Sequence, residues 1–324
     1  MNRWQTEVLI QKPPFLINTN SSFYFIGSCF SEHIQKNLTQ NLFDVYSSPF
    51  GIEYNPISIS QNINRILDQT MFHKEELIQT GNGYSTWHHH SKYNHSNDQE
   101  FMAENNRNLK TALQKMTHAD FLCITLGTAF YYYLKDSQTP VNNCHKMPPH
   151  LFSRKPSSVL EIANQLTNCV EKIISINPKI KFILTLSPVK HLRDNPTENS
   201  YSKALCRCAI EELISKFNNE SFYFPAYEIL NDELRDYRFY DGDMMHPSKQ
   251  TTQYIAEKFL ETMLDHQSNE FIKEWAPILK FLEHNPDNPS SPSYQNALNS
   301  INNKILTLKS KFPQLHWNNF KPKF

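Results

Sequence analysis

The sequence predicts an α/β fold: a three-layer sandwich of helices around a mostly parallel sheet, followed by a helical C-terminal extension. Two observations predict it. Continuous apolar runs at residues 121–126 and 182–186 are stopped by Gly127 and by Ser187-Pro188, and runs of that length suit parallel strands covered on both faces. Segments with apolar residues at helical spacing lie between and around them, so strands and helices alternate along the chain, as in linked βαβ units.

Each element follows in order. Residues 23–26 form an aromatic and aliphatic run that ends at Gly27, and Ser28, Cys29 and Phe30 lead into a helix over residues 31–38, which reads as strand, tight turn, helix. Asn55 and Pro56 start a second helix with Ile57, Ile63, Ile66 and Leu67 on its apolar side. Residues 79–96 read as a loop carrying Gly81, Gly83, Trp87 and His88-His89-His90, and a polar helix through Leu109, Leu113 and Met116 comes next. After the strand at 121–126, a loop runs to about residue 156. A helix marked by Val159, Ile162, Leu166, Val170 and Ile173 then leads to the strand at 182–186. A helix with Ala204, Ile210, Leu213 and Ile214 precedes an extended piece at 222–224. The loop at 231–247 delivers Asp243 and His246, and a last core helix covers 248–264. The expected division is one α/β domain with inserted loops over residues 1–264 and an extension over 265–324. That extension holds a helix at 271–282, a Pro- and Ser-rich linker at 285–292, and a helix with Tyr294, Leu298, Ile301, Ile305 and Leu308 as an amphipathic stripe for the domain or a partner subunit.

Composition narrows the function. Among 324 residues, 32 Lys and Arg balance 32 Asp and Glu, so no charge excess points to nucleic acid or an anionic membrane surface. No apolar run approaches the roughly 20 residues a membrane span needs. The first 20 residues lack the uninterrupted apolar stretch of a signal peptide, which sets the cytoplasm as the expected compartment. Six dispersed cysteines without a CxxC pair agree with it. Cys206 and Cys208 sit two apart on a predicted helix and do not share a face. Glycine is scarce at six residues, where average usage is about 7%, so those that remain mark positions that need one.

In a parallel sheet, the loops at the carboxyl ends of the strands form the binding crevice. Residues 27–30, 127–130 and 187–193 all emerge there. Cys29, at the start of a helix, would feel its positive end, which favours a thiolate or a developing oxyanion; an inert buried thiol is the other reading. Asp243 and His246, three apart before a helix, can pair as carboxylate and general base, or serve as a helix cap and a surface histidine. His88 to His90 with Cys144 and His145 show no standard zinc spacing, and no metal or other cofactor is expected.

Gly27-Ser28-Cys29-Phe30-Ser31 resembles the name motif of the GSCFA family, and Thr6-Glu7-Val8 resembles its opening. Further similar segments are Leu126-Gly127-Thr128-Ala129, Asn143-Cys144-His145-Lys146, Ser187-Pro188-Val189 and Asp243-Met244-Met245-His246-Pro247-Ser248. The resemblance spans about residues 3–260. Ser31 stands where the family usually has alanine. The family is grouped by resemblance with the SGNH, or GDSL-like, esterases and acyltransferases, which implies a flavodoxin-like sheet and a hydrolase or acyltransferase acting on an acyl ester or thioester. The resemblance puts Cys29 at the nucleophile position, with Ser28 as the alternative, and Asp243 and His246 in the closing Asp-x-x-His. It gives backbone N–H groups of Cys29 and Gly51 to the oxyanion. The superfamily's asparagine donor is missing at Gly127-Thr128, and Thr128 or Asn143 is left to replace it.

Trp87, His89, His90, His145, His191 and Arg193 are candidates for substrate binding, and Tyr131, Tyr132 and Tyr133 for packing or an acceptor surface. The expected partner is an acyl-bearing small molecule, glycan or lipid, and monomer and homo-oligomer both fit the chain. Two other functions stay open: a catalytically inactive carbohydrate- or lipid-binding module, suggested by the missing asparagine, and a phosphoester hydrolase, suggested by the crevice alone.

Overall fold

The computed structural model describes residues 6–191, 195–284 and 286–320. Strand β1 (Ser22–Gly27) leads through a two-residue turn into helix α1 (Phe30–Gln40), and β2 (Asp44–Ser47) returns beside β1. Helix α2 (Pro56–Leu67), the hairpin β3 (Ile78–Thr80) and β4 (Gly83–Ser85), and helix α3 (Asp98–His118) precede β5 (Phe121–Leu126). A small antiparallel sheet of β6 (Phe130–Leu134), β7 (Pro140–Val141) and β8 (Phe152–Pro156) follows, then α4 (Val159–Ile176) and β9 (Lys181–Leu186). Helix α5 (Asn195–Lys216), β10 (Ser221–Tyr223), a single turn α6 (Ala226–Glu228), and helices α7 (Lys249–Met263), α8 (His266–Glu283) and α9 (Pro292–Lys311) complete the chain.

The main sheet has the order β10-β9-β5-β1-β2, and every neighbouring pair is parallel. Read by sheet strands alone this is the flavodoxin-like order, which reverses direction between its first and third strands. Here the reversal falls between β1 and β5. The register sets Gly27 beside Thr125 and Thr125 beside Thr185, so the turns after β1, β5 and β9 leave the same edge together.

Alternation along β1 divides the core. Tyr24 and Ile26 point to one face, packed with Ile59 and Ile63 of α2, Leu109 and Met116 of α3, Leu166 of α4 and Ile210 of α5. Phe23 and Phe25 point to the other, with Ile34 of α1 and Ile255 and Phe259 of α7. The sheet is thereby buried on both sides. Helices α8 and α9 close around Phe271, Trp275, Ile301 and Phe312. They meet the end of α1, where Trp275 Nε1 donates to the Gln40 carbonyl at 2.9 Å and the His316 amide donates to the Leu42 carbonyl at 2.8 Å.

Two segments read as loops carry strands: 79–96 covers most of the β3–β4 hairpin, and 127–156 holds β6 to β8; β2 is an edge strand without an apolar run. Tyr131, Tyr132 and Tyr133 all lie in β6. The loop at 231–247 begins inside a helical turn, Ile229–Leu234. No helix among the described residues is long and apolar enough to cross a membrane.

Asn55 caps α2: its side chain accepts from the Ser58 amide at 2.9 Å, ahead of Pro56 at the first helical position. The residue before the cap, Tyr54, accepts the amides of Gly127 and Thr128 on its carbonyl. Asn55→Ala is expected to cost about 1 kcal/mol; urea denaturation should show a lower midpoint with an unchanged slope.

Candidate active site

Gly27 ends β1 at φ +132, and a Cβ there would stand 2.2 Å from the Thr125 carbonyl oxygen. Only glycine brings β1 that close to β5 and still turns the chain. The Ser28 amide then donates to the Thr125 carbonyl at 3.0 Å, and Ser31 Oγ donates to the Ser28 carbonyl at 2.8 Å. Cys29 is thereby the N-cap residue of α1. It is partly accessible, whereas Ser28 is buried and its Oγ has no hydrogen-bond partner.

Opposing influences act on the Cys29 thiol. Burial and the nearby Glu32 push its pKa up; Lys203 and the amides of Cys29 and Phe30 pull it down, and the net shift is upward. The resting group is a thiol rather than a thiolate. No hydrogen bond joins Cys29 to His246.

Asp243 and His246 form a pair. Asp243 Oδ2 accepts from His246 Nδ1 at 2.6 Å, while Oδ1 takes the amides of Met245 at 2.8 Å and His246 at 2.9 Å. These bonds, the His246 amide first and its ring second, hold the Asp243 carboxyl down to about 2. Nδ1 is thus committed as donor, which leaves Nε2 free to accept a proton. Both side chains are largely exposed. The loop is tied to the turn after β9 by the Lys190 amide, which donates to the Met245 carbonyl at 3.0 Å.

The turns after β5 and β9 are locked from two sides. The Tyr54 carbonyl accepts the amides of Gly127 and Thr128, each at 2.9 Å. From α5, Asn199 Oδ1 takes the His191 amide at 2.9 Å, Ser202 Oγ takes the Ala129 amide at 2.8 Å, and Lys203 Nζ donates to the carbonyls of Gly127 at 2.6 Å and Ser187 at 2.7 Å. Over the Gly127 backbone, a Cβ would meet His191 Nε2 and Ser28 Cβ, each at 3.3 Å. His191 Nε2 is buried without a partner, and burial first, then Lys203, hold that ring down to about 3, so it is neutral.

The expected oxyanion groups are occupied to different degrees. The Gly51 amide makes only a long bond, 3.3 Å, to the Ser48 carbonyl. Thr128 Oγ1 is bound to Ser202 Oγ at 2.8 Å and accepts the Phe130 amide at 3.1 Å, so it is turned inward. Asn143 Oδ1 accepts the His145 amide at 2.8 Å. A cavity of about 120 Å³ lies beside the Gly27 turn, lined in part by Gly27, Ser31, Gln35, Ser48, Gly51 and Tyr93. Behind it Glu53 is fully buried, accepts from Ser48 Oγ at 2.6 Å, and is raised to about 8 by burial, so it is protonated at neutral pH.

The histidine-rich segment divides. His90 Nε2 faces Tyr54 OH at 3.3 Å at the rim of the site. His89 is buried among Phe50, Phe72 and Phe101, with Nδ1 on Thr86 Oγ1 at 2.8 Å, and burial holds it down to about 3. His88 lies between Asn62 Oδ1 at 2.7 Å and Arg65 at 3.0 Å. His145 Nε2 donates to the Thr86 carbonyl at 2.9 Å, and Trp87 packs on Phe152 and His145. These four belong to the packing of the inserted segments. Arg193 lies outside the described residues.

Tyr54, Ser202 and Lys203 escaped the reading of the sequence. A signal for two of them exists: the buried face of α5 at Cys206, Ala209, Ile210 and Leu213 continues back through Asn199, Ser202 and Lys203. Polar residues at core positions of an amphipathic helix need partners inside.

A family model described as GSCFA family matches residues 22–259. No curated protein matches the sequence. Solved structures similar to this chain include a Streptococcus pneumonia protein described as a platelet activating factor, 13% identical over 74% of this chain and 82% of its own, with a TM-score of 0.39. Two others are a carbohydrate esterase family 2 enzyme with a carbohydrate binding domain from Corynascus thermopiles, 12% identical over 78% and 66% with a TM-score of 0.40, and an acetyl xylan esterase from Butyrivibrio proteoclasticus, 12% identical over 74% and 63% with a TM-score of 0.36.

Proposed function

The chain belongs to the GSCFA family, and we propose that this member is an acyl ester or thioester hydrolase or acyltransferase that works through a covalent Cys29 acyl-enzyme. The observation that carries the reading is the Asp243–His246 pair at 2.6 Å, its Nδ1 committed and its Nε2 available, on a loop bonded to one of the turns that leave the same sheet edge as Cys29. Access favours Cys29 over Ser28, which is sealed under the turn.

His246 Nε2 approaches Cys29 when substrate is bound and takes the thiol proton. The sulfur attacks the carbonyl carbon, a C–S bond forms, and the C=O electron pair moves onto oxygen. The amides of Cys29 and Phe30, already turned to the sulfur, and that of Gly51 are the donors at hand for this oxyanion. Collapse expels the alcohol or thiol, which leaves with the proton held by His246. Water, or an alcohol or amine acceptor, then gives its proton to His246, attacks the thioester, and releases the acyl group as the thiol re-forms.

The test is intact-protein mass spectrometry after brief exposure to activated esters from acetyl to long-chain, beside Cys29→Ala. An added acyl mass on the wild type that is absent from the variant is expected. Ester consumption that survives in Cys29→Ala would overturn the reading. Neither adduct nor consumption, alongside tight binding of a glycan, would favour the binding module.

A further inference from the structure

Lys203 is the one fully buried lysine among the described residues. Two of its three protons go to the carbonyls of Gly127 and Ser187, at the carboxyl ends of β5 and β9. No carboxylate among the described residues stands within ion-pair distance of it, unlike Lys258, which pairs with Glu233 at 3.0 Å. A buried cation without an anion is costly to keep, and an apolar residue would fill the same place in the core of α5 without that cost. A Cβ on Gly127, whose carbonyl Lys203 holds, would stand 3.3 Å from Ser28 Cβ, so the ammonium lies close to the turn that carries Cys29.

We propose that Lys203 is a positioning residue for the Cys29 chemistry: its buried charge balances the negative charge that appears on the sulfur and then on the substrate oxygen. The inference rests on the reading of Cys29 as nucleophile. At neutral pH Lys203 keeps its protons and the proton that moves is the thiol's; the lysine gives one up only at higher pH. The electrostatics agree in both directions, since Lys203 lowers the Cys29 pKa and Cys29 raises that of Lys203, while burial takes the lysine down to about 8. The other groups facing the pair are Glu32 on α1, half-exposed and bound to Lys92 at 2.7 Å, Tyr54 before α2, His191 after β9, Cys206 on α5 and the Tyr227 ring. His191 is neutral, and burial raises Cys206 to about 12 and Tyr54 to about 12. Glu32 is the only anion among them. It acts against the thiolate.

The test is the pH dependence of Cys29 alkylation by iodoacetamide, followed by peptide mass spectrometry on the full-length protein. Two coupled groups titrate as a pair. The wild-type rate should rise about ten-fold per pH unit, level off once the first proton has left the pair, and rise again when the second leaves. Lys203→Gln should give a single rise and a rate at pH 7 lower by about ten-fold or more, the effect of at least one pKa unit. Lys203→Arg should keep the wild-type rate at pH 7 within about three-fold. An unbroken single rise in the wild type overturns the proposal, as does an unchanged rate in a Lys203→Gln protein with the wild-type circular dichroism. Should Lys203→Gln fail to fold, the wild-type profile alone decides. The readout needs no substrate, so it stands apart from the ester test with Cys29→Ala, which decides the nucleophile.

Discussion

Replacing His246 by alanine is expected to slow turnover of an activated ester by about a thousand-fold, within the range that a general base contributes. Burial and Glu32 hold Cys29 in its protonated form, and a thiol is a far weaker nucleophile than a thiolate. His246 is the imidazole whose first nitrogen is already oriented, through Asp243, whereas His191 and His89 are held neutral by burial and are poor proton acceptors. Asp243→Asn should lose activity in the same direction, because an amide can present its N–H to Nδ1 and favour the wrong tautomer. Its pH profile distinguishes it. With its carboxyl held at about 2, Asp243 is a carboxylate at every practical assay pH, so the asparagine variant should lose rate across the whole profile rather than shift one limb. The measurement is kcat and the rate of Cys29 acylation, taken on the same preparations. Activity within three-fold of wild type in His246→Ala would remove this histidine from the mechanism.

What could be read in advance follows from where the physical signal lies. The central strands β1, β5 and β9 were legible because both of their faces are covered, which demands continuous apolar runs such as Phe121 to Leu126. Strand β2, Asp-Val-Tyr-Ser, lies at the sheet edge and is only partly buried, so it carries no such run. Strands β6 to β8 pair through backbone bonds across about twenty residues, and the two residues of β7 include Pro140; nothing local marks them. The site divides in the same way. Cys29, Asp243 and His246 announce themselves as reactive side chains in short motifs. The carbonyl of Tyr54, which locks the turn after β5, has no side-chain signature at all. Lys203 was hidden for another reason: lysine in a helix is ordinarily a solvent-facing residue, and only the phase of the helix shows that this one points inward. Thr128 and Asn143 fall where a missing donor would be sought, yet Thr128 Oγ1 is committed to Ser202 and Phe130, and the Oδ1 of Asn143 accepts from the His145 amide in its own loop. Motif spacing marks where a group sits in the chain. It does not mark what the group is already bonded to.

Gly27→Ala is the substitution expected to do most harm to the fold. Two independent costs meet at this position. At φ +132 a residue with a Cβ is strained, by about 1–3 kcal/mol. The added methyl would also stand 2.2 Å from the carbonyl oxygen and 2.8 Å from the amide nitrogen of Thr125. That neighbour is backbone of the central strand, paired on its other side with Thr185 of β9, so it cannot swing aside as a side chain would. Relief requires β1 to move away from β5, which strains the Ser28–Thr125 bond and the 2.8 Å bond from the Glu53 amide to the Gly27 carbonyl. Overpacking of this kind costs about 1–3 kcal/mol, and the two costs together come to about 4 kcal/mol, a large part of the 5–15 kcal/mol that holds an ordinary domain together. Gly81→Ala is the matched control: nothing lies within 4 Å of its Cβ position and its φ is not left-handed, so a change within about 0.5 kcal/mol is expected. Urea denaturation of the two variants compares them directly, and equal midpoints would show that the turn at Gly27 is not constrained as described. The variant also links fold to chemistry. Any Gly27→Ala protein that still folds must have shifted the turn that presents Cys29, so its acylation rate should fall by more than its folded fraction does.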